Sequence, residues 1–240
     1  MKVTYVYHSC YVVEFENDIL VFDYFMGRMP EFDKNKRIYF FHSHKHQDHF
    51  SMNVFKFAKL YPNITYVLSN DIRVSEKYLE QNGYDKSLKE RIVYMHKREE
   101  KQIDDIKVET LKSNDAGVAF LVTVDGKCIY HAGDLNWWHW EGETESYNAG
   151  LAFKYTNEID RIKNHKIDVA FVPLDSRLNT SFYKGVDYFA RNTKAELIFP
   201  MHMWRKYEII EKFKRSEITK NYRNKIITVD KENESWVIEE

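Results

Sequence analysis

The stretch that most constrains this chain is His42-Ser43-His44-Lys45-His46-Gln47-Asp48-His49, which holds four of the ten histidines. It follows a short apolar run, Ile38-Tyr39-Phe40-Phe41, which reads as a β-strand. The cluster therefore sits in a loop at a strand's C-terminal edge, a common place for ligand sites. His44 and His46 are two residues apart, so in an extended segment they point the same way. Asp48 and His49 follow at once, in a loop that can turn them toward a neighbouring point. Imidazole and carboxylate in this density suit Zn, Fe or Mn, and the reading as a metal site is preferred to that of a solvated polar loop.

The rest of the chain supplies scaffold and further donors. Strands are expected at 3–7, 11–15, 19–25 and 38–41, with a turn at Asn17-Asp18. A helix capped by Ser51 is expected through Leu60, then a strand at 64–68. Asn70-Asp71 reads as the cap of a second helix, which Asn82-Gly83 ends. Strands at 91–95 and 106–111 precede a hairpin, 118–124 and 127–131, around Asp125-Gly126. Helices are expected at 145–164, 182–192 and 204–215, strands at 168–173 and 195–200, and short closing strands at 226–229 and 236–238. Both halves place a run of strands before alternating helices and strands. That plan implies an α/β (α+β) fold with two sheets face to face and helices outside, a four-layer αββα sandwich. With 240 residues and no linker, the chain is read as a single domain, 1–240.

Net charge is -1, so no global field favours polyanions; nucleic acid is not expected as a partner. No apolar run approaches membrane-spanning length, and the N-terminus lacks the apolar region of a signal peptide. Cys10 and Cys128 form no C-x-x-C pair and read as buried thiols in a reducing compartment, hence a cytoplasmic protein.

His44-x-His46-x-Asp48-His49 resembles the H-x-H-x-D-H signature of the metallo-β-lactamase superfamily. The resemblance implies that the histidine pair helps bind one metal and the Asp-His pair a second. His131-Ala132-Gly133-Asp134 resembles the segment carrying the metal-bridging aspartate, and Pro200-Met201-His202 the last histidine ligand. Asp23 is similar to the outer carboxylate that orients a ligand imidazole. These matches imply a site of His44, His46, Asp48, His49, Asp134 and His202, holding two divalent ions, with zinc first and Mn or Fe as alternatives.

One position departs from the pattern. Where the family supplies a third histidine, this chain has Leu111-Lys112-Ser113-Asn114-Asp115-Ala116-Gly117. Asp115 as a carboxylate ligand and a plain turn with water in the coordination position both stand. Ser113 lies nearer the usual histidine position, but a neutral hydroxyl is a poor ligand.

The reaction implied is hydrolysis of a small ester, lactone or phosphoester by metal-activated hydroxide, with Asp48 moving the proton. Two alternatives remain. One is an iron oxidoreductase on the same fold, although members of that kind carry glutamate where His46 stands. The other is a degenerate member that binds a ligand without catalysis. His8-Ser9 and the His-Ala-Gly-Asp segment are similar to the branch that includes ascorbate-6-phosphate lactonase. His8 reads either as lining the site mouth or as a structural histidine. Trp137-Trp138-His139-Trp140 reads either as a pocket wall or as a packed anchor. His42 is expected to pack or to bond ligand residues. Lys45, Arg177 and Arg205 are candidate partners for an anionic substrate group, each competing with a plain surface charge.

Overall fold

Near-continuous apolar runs such as Ile38-Tyr39-Phe40-Phe41 bury both faces of a strand, which is the mark of a covered sheet. A computed structural model of the chain describes residues 1–239. It divides into two compact units, residues 1–96 with the segment from 232, and residues 97–231.

The first unit carries a seven-stranded sheet. Its strands are β1 (Lys2–Tyr7), β2 (Cys10–Glu14), β3 (Asp18–Phe22), β4 (Arg37–His42), β5 (Ile64–Ser69) and β6 (Ile92–Met95), plus the C-terminal strand Ser235–Val237. The C-terminal strand and β1 to β3 pair antiparallel, and β3 to β6 pair parallel. In the β3–β4 register Phe22 stands beside Phe41, so the residues after both strands leave the sheet at one edge. Val12, Val21, Phe40, Phe55, Tyr66 and Leu68 are among the buried residues of this unit's core.

The second unit carries a six-stranded sheet. β7 (Glu100–Ile103), β8 (Ile106–Lys112), β9 (Val118–Val124) and β10 (Lys127–His131) form an antiparallel meander. β11 (Lys166–Pro173) and β12 (Lys194–Met201) then add in parallel. β13 is the C-terminal strand Ser235–Val237 of the first sheet. His131 stands beside Phe171, and Pro173 beside Met201, so three strand ends again share an edge. Helix α2 (Glu145–Arg161), capped by Thr144, and helix α3 (Lys184–Asn192) accompany this sheet, and Tyr130 stacks on Phe189 at 5.0 Å. Gly185 has no room for a side chain, because a Cβ there would lie 1.8 Å from Oδ1 of Asn136.

Several expected helices are shorter or tighter. Ser51 does cap a helix, but Met52–Lys59 is a 3-10 helix. Asn70 and Asp71 do not cap the next one: Asn70 bonds Met95 and His96, Asp71 accepts from Lys45 N–H, and α1 (Glu76–Gln81) is capped by Ser75. Trp204 and Arg205 both lie in the left-handed region, so α4 (Glu208–Lys214) starts only after them. Residues 226–229 form no strand; Ile226 makes a single bridge to Ile198. β7 and the 3-10 turns at Lys86–Arg91 and Ser176–Ser181 were not anticipated. Among the described residues no helix is long and apolar enough to cross a membrane.

Both cysteines are free; Cys10 is buried as expected, whereas Cys128, near the start of β10, is only half-buried. Burial, reinforced by Asp23, pushes the Cys10 thiol well above its usual range. Burial and then Asp168 push Cys128 up to about 11. Neither is expected to react with Ellman's reagent at pH 8 in the native protein, and both are expected to react after denaturation in guanidinium. A fast-reacting thiol in the native state would contradict this placement.

Candidate metal centre

In the first unit, Asp23 leaves β3 and the histidine loop leaves β4 at the same sheet edge. The Asp23 N–H donates to the Phe41 carbonyl at 2.8 Å, and Asp23 turns into the left-handed region, φ 44°. Its carboxylate collects three donors. Ser43 N–H donates to Oδ1 at 2.7 Å, Ser43 Oγ–H to Oδ2 at 2.6 Å, and His49 Nδ1–H to Oδ2 at 2.7 Å. Because the Ser43 proton goes to Asp23, the Ser43 oxygen accepts from His44 Nδ1–H at 2.9 Å. The hydrogen-bond network thus assigns the proton to Nδ1 in both His44 and His49. In each ring Nε2 is then the atom with a lone pair, the form in which imidazole binds a metal.

His44 and His49 are fully buried, and their rings lie 4.2 Å apart. His46 is exposed, its ring 4.5 Å from that of His44, and both offer ligand atoms within 4.8 Å of one another. Asp48 keeps 28% of its side chain exposed and places Oδ2 3.9 Å from His49 Nε2. Two donors on one tetrahedral ion at normal bond lengths stand roughly 3.4 Å apart, so this spacing suits a shared ion better than a hydrogen bond. His42 bonds through Nδ1 to the His49 carbonyl at 2.8 Å and packs edge-on against Phe50. It therefore both packs and braces the loop. Lys45 is exposed.

The second unit repeats the arrangement with different residues. After β11 the Leu174 N–H donates to the Met201 carbonyl at 2.8 Å, and Asp175 follows. His202 leaves β12 in the left-handed region, φ 63°. Its Nδ1–H donates to Asp175 Oδ2 at 2.9 Å, which presents Nε2 3.4 Å from Asp134 Oδ1. Arg177 grips Asp175 from the other side, with Nε 2.9 Å from Oδ2, and lies over Trp140 and Trp204. Burial alone would raise the Asp175 carboxyl, but hydrogen bonds from His202 and Arg177 outweigh it and hold it at about 2. Arg177 is thereby engaged with a carboxylate of its own chain, which weakens its case as an anion site.

Asp134 follows β10 through Ala132 and Gly133, and Gly133 has φ 51°. Its carbonyl, not its carboxylate, accepts the Trp138 indole N–H at 2.9 Å. Trp138 is buried, stacks on Trp140 at 5.7 Å, and stands edge-on to His202 at 5.9 Å. Trp137, His139 and Trp140 line a pocket of about 580 Å³. The aromatic segment thus provides an anchor at Trp138 and a pocket wall on either side of it. In the departing turn, Ser113 Oγ accepts the Asp115 N–H at 3.1 Å and is committed to that turn. Asp115 is exposed and offers an oxygen within 4.8 Å of one on Asp134. Asn114 Nδ2 donates to the Asn136 carbonyl at 2.8 Å, which ties this turn to the Asp134 loop.

Asp175 is the residue that sequence reasoning missed. Its one signal was position: it follows an apolar strand, as Asp23 does, and precedes the strand that ends in a histidine.

A family model described as a β-lactamase superfamily domain matches residues 2–202. The chain belongs to this family, the metallo-β-lactamase superfamily. Its α/β fold with two sheets is that of the superfamily. No curated protein matches the sequence. Among solved structures, the chain is similar to Igni18, a metallo hydrolase from Ignicoccus hospitalis. The TM-score is 0.65 at 17% identity, with 99% of each chain covered. It is also similar to an isothiocyanate hydrolase from Delia radicum gut bacteria, with TM-score 0.55 and 14% identity over 99% of each chain. A third is CmlA, a diiron β-hydroxylase from Streptomyces venezuelae, with TM-score 0.54 and 12% identity. There, 84% of this chain covers 44% of that one. At these identities the likeness is one of fold. The His/Asp clusters of this superfamily member are chemically able to bind metal ions.

Proposed function

We propose that the protein is a metal-dependent hydrolase of a small ester, lactone or phosphoester. The observation that carries this reading is the locking of His44, His49 and His202 as Nδ1–H tautomers by Ser43, Asp23 and Asp175. Buried imidazoles held in this way by carboxylates are built to present Nε2 to a metal. In this proposal His44, His46, Asp48 and His49 of the first unit and Asp115, Asp134 and His202 of the second would be the metal-ligating residues, and Asp134 would serve both ions, as the order of the family motif implies. Such ions would lend Lewis acidity to the reacting carbonyl or phosphoryl oxygen and bring the pKa of water near neutrality. Asp48, partly open to solvent, would take the proton from the attacking water and pass it to the leaving group. Asp175 and Asp23 would hold the ligand rings in register.

Zinc is the first expectation. A carboxylate in place of the third histidine shifts the donor set toward harder ions, which makes manganese or iron the alternative. The partner is a small molecule, and the two free thiols accord with a cytoplasmic setting.

Metal-stripped protein is expected to regain hydrolysis of at least one substrate in an ester, lactone and phosphodiester panel when Zn²⁺ or Mn²⁺ is restored. Its melting temperature is expected to rise by about 5–10 °C at metal concentrations about 100-fold above Kd. No gain in either property would sink the reading. An iron-loaded, coloured protein without hydrolytic activity would favour the oxidoreductase alternative.

A further inference from the structure

We infer that His8 is a further metal ligand, joining Asp48 and His49 at their ion; this rests on the metal-dependent reading above. His8 Nε2 lies 3.5 Å from Asp48 Oδ2, the oxygen that stands 3.9 Å from His49 Nε2. All three residues offer ligand atoms within 4.8 Å of one another. Those separations exceed a hydrogen bond and match donors around one ion, which stand roughly 3.4 Å apart.

Orientation supports the same role. The His8 side chain is fully buried. Its ring is set edge-on to Phe25 at 6.0 Å and to His49 at 5.8 Å, so it has little freedom to turn away. The backbone is also unusual. His8 has φ 55°, at the corner where β1 passes into β2 and their register shifts. The Tyr5 hydroxyl braces the corner by accepting the His8 N–H at 2.9 Å. Left-handed corners favour glycine and asparagine, and a non-glycine residue held in one is a pointer to function. An imidazole at this corner is explained by what its ring reaches.

His8 also comes from outside the histidine-rich loop. With it, the ion at Asp48 and His49 would have three donors from the first unit, His8, Asp48 and His49.

The test uses full-length, metal-stripped protein titrated with Co²⁺ alone, read by calorimetry and by the visible Co²⁺ spectrum. His8→Asn is the main variant, because asparagine tolerates the left-handed corner. It is expected to weaken one Co²⁺ binding step by at least about 10-fold and to alter the spectrum of that step. His8→Gln places an amide nitrogen roughly where Nε2 stands. It would rescue a role that was only hydrogen bonding to Asp48, and rescue would overturn ligation. Should either variant fold poorly, ring ¹⁵N signals of wild-type protein decide: the His8 Nε2 resonance is expected to shift on adding Zn²⁺. Wild-type Co²⁺ binding with unchanged constants in His8→Asn, or an unmoved His8 resonance, contradicts the inference while leaving the metal-dependent reading intact. No Co²⁺ binding by wild-type protein removes both.

Discussion

Asp134→Ala is expected to lower hydrolysis by more than about 100-fold and to leave the fold intact. The size of the effect follows from the role proposed for Asp134, which serves both ions, whereas losing an outer partner typically costs 10–100-fold. The loop also has anchors that the substitution leaves in place. Trp138 is held by the Asp134 carbonyl, which alanine retains, and the Leu135 N–H is held by the Ala132 carbonyl. The measurements are turnover on the best substrate of the panel, metal content, and circular dichroism. A variant that keeps both its metal and its turnover would show that Asp134 is not a ligand. A variant that unfolds would show that the carboxylate has a structural role absent from the account.

Asp23→Ala is expected to have the opposite balance, losing stability and metal together. One carboxylate accepts from Ser43 N–H, Ser43 Oγ–H and His49 Nδ1–H, all in a fully buried setting. Truncation leaves those donors without their acceptor, and alanine sits poorly at φ 44°. Each buried group left unsatisfied costs about 1–3 kcal/mol, so a loss of about 3–5 kcal/mol overall is expected. His49 and His44 would also lose the constraint on their tautomers, and metal affinity should fall by about 10–100-fold. Asp23→Asn separates the effects. It tolerates the backbone and fills the same volume, so it should recover much of the stability and little of the affinity. Equal melting temperatures for Asp23→Ala and wild type would contradict the network.

The histidine loop and its neighbours were legible in the sequence because their chemistry is concentrated. His44, His46, Asp48 and His49 lie within a few residues of one another, and Asp134 and His202 each follow an apolar strand. Asp175 was not, because one aspartate among many has no local signature. What brings it to His202 is register: β11 and β12 run parallel with Pro173 beside Met201, so the residues beyond them meet. Asp23 stands in the same kind of register, since β3 pairs in parallel with β4, but the sequence pointed to it through the family resemblance. The helix boundaries failed for a related reason. Asn70 and Asp71 have the chemistry of caps, but tertiary partners took up their hydrogen bonds. The 3-10 form of Met52–Lys59 was hidden because periods of 3.0 and 3.6 are hard to tell apart over eight residues.

The central claim is that these His/Asp sets hold divalent ions. The most direct measurement is elemental analysis of the purified protein, as isolated and after dialysis against Zn²⁺ or Mn²⁺, compared with a His44→Ala/His202→Ala double variant. The account predicts between one and two equivalents of a divalent metal in the wild type and a clear loss in the double variant. Wild-type protein that stays below one equivalent under both conditions, or a double variant with the same content, would contradict it.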